Sequence, residues 1–271
     1  MAVRNPAPVA DLSTVSRRTI AGLKLTSDAD TDHDINVTAG EARDVGNAVL
    51  IELTTEITKR IDAAFAEGDD AGGLDTGAVA AATGYGVWLI RKSADGTVDM
   101  LFSLVMDSQG TPTLPAGFDQ RRLIGWVRTQ ESAANIHPFK HQGDYFRLTT
   151  LRPPVEIVDT TLASLVVEEM TTTIPANCLM HCYGHLNNPS GTATRMMIFI
   201  FPKDGGEDAF VSSDAAFAKV TTSGTADDLT ANGFVLVDGV GKVEYTTEFV
   251  GGTPTFVIRL IGCLMLTRSN P

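Results

Sequence analysis

Asn47-Ala-Val-Leu-Ile-Glu-Leu-Thr-Thr-Glu-Ile-Thr-Lys-Arg-Ile-Asp-Ala-Ala-Phe-Ala-Glu67 is the stretch on which the fold class turns. Apolar residues recur at Leu50, Leu53, Ile57, Ile61, Ala64 and Phe65, a spacing that predicts an amphipathic α-helix of about five turns. Lys59, Arg60, Asp62 and Glu67 fall on the other side, and Gly68 ends the helix ahead of the turn Asp69-Asp-Ala-Gly-Gly73. No other stretch carries a comparable helical period. Its apolar stripe reads either as core against a neighbouring sheet or as the seam of an oligomer. The core reading is preferred, because a helix beside a sheet needs covering in any case.

Downstream the period changes to two. Tyr85-Gly-Val-Trp-Leu-Ile-Arg91 and Val98-Asp-Met-Leu-Phe-Ser-Leu104 flank Ala94-Asp-Gly-Thr97, the signature of a β-hairpin. Arg121 to Arg128 reads as a strand, and Ile136 to Lys140 pairs with Tyr145 to Thr150 across His141-Gln-Gly-Asp144. Pro153-Pro154 marks a boundary, beyond which the chain alternates short strands and turns, as in a β-sandwich of jelly-roll type. The expected organisation is an extended arm over 1–25, an α+β base domain with one long helix over 26–150, and an all-β sandwich over 151–271.

Asn177-Cys-Leu-Met-His-Cys-Tyr-Gly-His185 gathers possible metal ligands. On a helix Cys178, His181, Cys182 and His185 would share one face. The flanks, Thr171-Thr-Thr-Ile-Pro175 and Asn187-Asn-Pro-Ser-Gly191, are those of a strand, which sends the cysteines one way and the histidines the other. The expectation is buried apolar cysteines, histidines on the outer face or at a subunit contact, and no metal. Asp28, Asp30, Asp32 and Asp34 resemble the start of a calcium loop, but the positions that need glycine and glutamate hold His33 and Ala39. That stretch reads as a solvated acidic turn.

Catalytic signatures are missing. There is no Gly-x-Ser-x-Gly, and Asp204-Gly-Gly206 and Val250-Gly-Gly-Thr253 lie between predicted strands, as hairpin turns rather than phosphate cradles. The carboxylate pairs Glu168-Glu169 and Asp69-Asp70 are strand or turn neighbours that diverge, which disfavours glycosidase chemistry. Trp88 and Trp126 sit in apolar strands, where core packing is preferred to sugar stacking. The chain of 271 residues carries a net charge of −12, which argues against a nucleic-acid partner. No apolar run is long enough to span a bilayer, no signal peptide is apparent, and three cysteines do not make a disulfide framework.

The succession Ile20-Ala-Gly-Leu-Lys-Leu25, Asp34-Ile-Asn-Val-Thr-Ala-Gly-Glu-Ala-Arg-Asp44, Leu53 to Phe65, Gly72-Gly-Leu-Asp-Thr-Gly77, Val87-Trp-Leu-Ile-Arg91, Leu101-Phe-Ser103 and Leu114-Pro-Ala-Gly-Phe118 resembles a family of tailed-bacteriophage virion structural proteins of the tail-fibre kind. The likeness covers 18–150 and continues loosely into a sandwich ending in a strand like Phe256-Val-Ile-Arg-Leu-Ile-Gly262. The resemblance implies a non-enzymatic virion component without cofactor or catalytic residues, assembled in the host cytoplasm. It implies a homotrimer that docks on other virion proteins, of the tail or of the portal and capsid, through its N-terminal part and meets host glycan or protein through the sandwich. A capsid fibre or decoration protein is the alternative, and a glycan-cleaving spike a more distant one.

Overall fold

The computed structural model describes residues 20–150, 154–159, 168–187, 195–202, 218–221, 228–250 and 255–265. Most of the expected arm (1–19), the first residue of Pro153-Pro154 and both glycine turns at 204–206 and 251–253 lie outside these residues.

The predicted helix is not there. Leu50–Leu53 (β5) and Ile57–Ala64 (β6) are strands joined by a short turn, and no helix occurs among the described residues. This corrects the expectation of an α+β base with one long helix ahead of a jelly-roll: every regular element described is a strand. Ile57 and Ile61 stand four apart, a spacing that suits one helix face and one strand face equally. What decides the matter is Ile51, Leu53, Ile57, Lys59 and Ile61, all buried on odd positions, while Leu50 is 39% exposed. The β-branched Ile51, Thr54, Thr55, Ile57, Thr58 and Ile61 favour extended backbone.

The remaining strands are β1 (Ile20–Gly22), β2 (Leu25–Ser27), β3 (Asp34–Val37), β4 (Gly40–Arg43), β7 (Ala71–Leu74), β8 (Gly84–Arg91), β9 (Val98–Ser103), β10 (Gln120–Arg128), β11 (Phe139–Gln142), β12 (Tyr145–Leu148), β13 (Val155–Asp159), β14 (Glu168–Thr171), β15 (Leu179–Asn187), β16 (Arg195–Pro202), β17 (Ala218–Thr221), β18 (Asp228–Leu236), β19 (Lys242–Phe249) and β20 (Thr255–Leu264). They form four sheets. A three-stranded sheet runs β1-β4-β5, and a seven-stranded sheet runs β10-β8-β9-β7-β6-β3-β2. A six-stranded sheet has the order β11-β12-β20-β15-β18 with β13 also on β20, and a four-stranded sheet has β14-β19-β16-β17. Pairing is antiparallel except at β6–β7 and β7–β9.

The six-stranded sheet joins the early and late parts of the chain. Its β12 pairs with β20, Arg147 opposite Gly262, so the hairpin β11–β12 shares a sheet with the last described strand. One face of this sheet is packed on both neighbours. Tyr245 of β19 and Phe256 of β20 meet with ring centroids 5.3 Å apart, and Phe146 of β12 faces Gly125 of β10 across a space too small for a Cβ. The core residues form one continuous cluster through all four sheets. The other face of the six-stranded sheet is the solvent side, and there the site is built.

Candidate functional site

β15 alternates strictly: Met180, Cys182, Gly184 and Leu186 are buried, while Leu179, His181, Tyr183 and His185 are half-buried on the opposite side. Cys178 and Cys182 are therefore core residues; the Cys178 thiol donates to the Pro175 carbonyl at 2.8 Å, and burial pushes the Cys182 thiol up to about 12. Sulfurs and imidazoles on opposite faces of one strand cannot converge on a metal. Among the described residues no group of three or more His, Cys, Asp or Glu is arranged to hold one.

The other sequence candidates are occupied locally. In the turn between β2 and β3, Asp30 bonds His33 at 3.1 Å and caps Asp32 N at 3.0 Å, and Asp28 accepts from Asn36 at 3.1 Å. Asp69 accepts the Thr58 amide at 2.7 Å, Asp70 turns the chain at φ 54°, and Glu169 pairs with Lys242. Trp88 and Trp126 are buried, their indole N–H groups donating to the carbonyls of Val105 at 2.9 Å and Thr173 at 2.8 Å. Neither is open to a sugar.

Sequence reasoning missed a carboxylate cluster. Arg128, 1% exposed, reaches Glu131 at 2.8 Å and Glu156 at 3.3 Å, with His137 3.3 Å from Glu131. Burial raises the Glu156 carboxyl despite Arg128, whereas Glu131 is held low by a backbone hydrogen bond and Arg128 against its own partial desolvation. Divergent carboxyls are what acid–base catalysis uses, but the Glu156 side chain is wholly inaccessible and also binds Thr173 N at 2.9 Å and Thr173 Oγ1 at 2.6 Å. The cluster is a buried clasp between β10, β13 and the segment before β15.

A seam of clefts, about 370 and 520 Å³, lies where β2 meets β11, both lined by Lys24, His141 and Gln142. Between them Leu25 N donates to His141 Nδ1 at 2.9 Å, and His141 Nε2 donates to the Gly143 carbonyl at 2.8 Å. The ring therefore sits as the neutral Nε2–H tautomer, stacked on Phe146 with centroids 4.0 Å apart.

The solvent face of the six-stranded sheet has a different character. Registers place Lys140, Arg147, Gly262, His181 and Phe234 in one row across β11, β12, β20, β15 and β18. The next row holds Gln142, Tyr145, Leu264, Leu179 and Leu236. Tyr145 O–H lies 2.6 Å from His181 Nδ1, the His181 ring stacks on Phe234 at 4.4 Å and 17°, and Tyr145 meets Phe234 edge-on at 6.3 Å. Phe234 is 52% and Leu236 41% exposed. Gly262 makes the shared floor: a Cβ there would fall 2.1 Å from the Phe146 carbonyl oxygen, so the row has a gap between Arg147 and His181. Burial, then the Arg147 charge, pushes the His181 imidazole down, and burial raises the Tyr145 phenol. At neutral pH both groups are uncharged and share a single hydrogen bond between the Tyr145 hydroxyl and His181 Nδ1.

The sequence expectation put the two histidines on an outer face or at a subunit contact, and both are half-buried on the side of β15 away from the core. It did not reveal that Tyr145 and Phe234 would join His181, since those contacts depend on strand order; the available signal was the alternation Asn232, Phe234, Leu236 against Ala231, Gly233, Val235.

No protein-family profile matches the chain, and no curated protein does. Among solved structures it is similar, at a level that carries no argument, to the Arthrobacter globiformis T6 isomalto-dextranase complexed with panose: 13% identity over 87% of this chain and 35% of that one, TM-score 0.20. The chain thus spans about a third of that protein's length. Infectious bursal disease virus Gx strain gives 12% identity over 90% of this chain and 68% of that one, TM-score 0.17.

Proposed function

We propose that this chain is a non-enzymatic structural protein of a tailed-bacteriophage virion, a tail fibre or spike subunit that meets the host surface through the solvent face of its six-stranded sheet. The observation that carries the reading is the half-exposed Phe234 stacked on His181 beside the Tyr145 hydrogen bond. Exposed aromatic rings with nearby polar tips are the usual makings of a contact surface. The titratable clusters found among the described residues, by contrast, are buried or engaged in local turn and strand contacts. The homotrimer implied by the sequence resemblance would repeat this face threefold, so that weak single contacts add into firm attachment.

Two measurements test it. Antibody–gold labelling of particles should mark the tail end; labelling of the head would overturn the tail-fibre reading in favour of shell decoration. Purified protein added to host cells should block particle adsorption, and incubation with the host surface polysaccharide should release no new reducing ends. Release of reducing ends would make it a glycan-cleaving spike instead.

A further inference from the structure

We propose that the ligand of this face is an acidic polysaccharide, one pyranose ring lying on Phe234 and a neighbouring unit's carboxylate held by Arg147 and Lys140 over the Gly262 gap. The inference rests on the host-contact reading above and names its chemistry. Three features of the face carry it.

The first is ring geometry. His181 covers one side of Phe234 at 4.4 Å, nearly parallel. β18 is the last strand in the sheet order, and Phe234 is 52% exposed, so about half of the residue is open to a ligand. A single open aromatic face backed by a second ring is a stacking platform for the C–H side of a sugar.

The second is charge. In a chain of net −12, the two central rows of this face carry Lys140 and Arg147 and no carboxylate among the described residues, with Arg259 opposite Tyr183 in the next row. Three carboxylates border those rows without standing in them: Asp144, in the turn beyond Gln142, Asp228, at the far end of β18, and Asp238, two residues past Leu236, which accepts from the Val240 and Lys242 amides. Lys140 and Arg147 are exposed. Arg147 stands directly opposite Gly262 in the register, and its charge acts on both Tyr145 and His181.

The third is span. Phe234 and Arg147 are three strand spacings apart, roughly 14 Å at about 4.8 Å each, with Gly262 contributing no side chain between them. That distance suits two or three linked sugars and exceeds one. The half-buried His181 imidazole offers a polar ring nitrogen along the way. A single-stranded nucleic acid also stacks and is anionic, but its charge at every unit would meet the acidic remainder of the molecule with only a few cations to offset it.

Isothermal titration of the full chain tests this with four probes: tetragalacturonate, an α2,8-linked trisialate, neutral maltotetraose and octathymidylate. At least one acidic saccharide should bind about tenfold more tightly than maltotetraose, the worth of one charge-assisted hydrogen bond. Arg147→Gln should erase that preference, and Phe234→Ala should weaken the acidic and neutral sugars alike by about threefold to tenfold. Both side chains are at the surface, and unchanged melting temperatures would show the variants folded. Failure of both acidic probes, equal affinity for maltotetraose, or preference for octathymidylate overturns the proposal. The host-contact reading fails separately, if Phe234→Ala protein still blocks particle adsorption as well as wild type. If Phe234→Ala abolishes blocking while Arg147→Gln leaves it intact, the contact stands and the acidic ligand does not.

Discussion

His137 is 5% exposed, its Nδ1 has no hydrogen-bond partner among the described residues, and its Nε2 lies 3.3 Å from both Glu131 and the Arg128 guanidinium. Burial pushes the imidazole below its usual value, with Glu131 opposing and Arg128 adding to the fall; the His181 imidazole moves the same way. A histidine whose folded pKa lies below its unfolded value contributes stability that is complete above about pH 6.5 and is lost as pH falls through that value toward the folded one. The urea midpoint should therefore drop between about pH 7 and about pH 5, less the opposing contribution of His33, whose imidazole is raised by Asp30 against its own desolvation. His137→Gln, which cannot take the proton, should remove part of that drop. An identical loss in both proteins would show that His137 does not contribute to it.

At the scale of elements, β6 turns on Lys59. Its ammonium is wholly buried, 2.9 Å from Asp99 and hydrogen-bonded to the carbonyls of Ala66 at 2.5 Å and Gly68 at 2.8 Å. Asp99 accepts in turn from Gly68 N at 2.9 Å and Met100 N at 2.7 Å. Lys59→Met should cost about 3–5 kcal/mol, because it strands a buried carboxylate. The double variant Lys59→Met with Asp99→Asn should recover part of it, and additive losses in a double-mutant cycle would refute the coupling. This pair also explains why the stretch was misread. A lysine counts as an outward residue in any amphipathic pattern, and only its partner on β9, distant in sequence, makes the inward position tolerable. Where burial follows alternation alone, as in β15, the sequence was legible; so was the hairpin at Asp95-Gly96, where Gly96 takes φ 82°. The aromatic face was not, because Tyr145, His181 and Phe234 become neighbours through the sheet order β12-β20-β15-β18, which no local pattern encodes.

For the whole molecule, Thr173 ties the seven-stranded sheet to the later part of the chain. Its carbonyl takes the Trp126 indole at 2.8 Å, its hydroxyl takes Arg128 Nε at 2.8 Å and donates to Glu156, and its amide also donates to Glu156. Thr173→Val keeps the shape and removes the hydroxyl, so stability should fall by about 1–3 kcal/mol as Arg128 and Glu156 each lose a buried partner. Unfolding followed by tryptophan fluorescence should then precede unfolding followed by far-ultraviolet circular dichroism, and coincident curves at an unchanged midpoint would refute a clasp. The other tie between early and late chain is β20, which takes β12 and β13 along one edge and β15 along the other. A ribosome that has just released Arg147 must add more than a hundred residues before Gly262 emerges to meet it, on the order of ten seconds of synthesis. Throughout that interval the nascent hairpin, joined later by β15, has an edge whose hydrogen-bonding partner does not yet exist, so the early chain stays exposed to wrong pairing until the last described strand arrives.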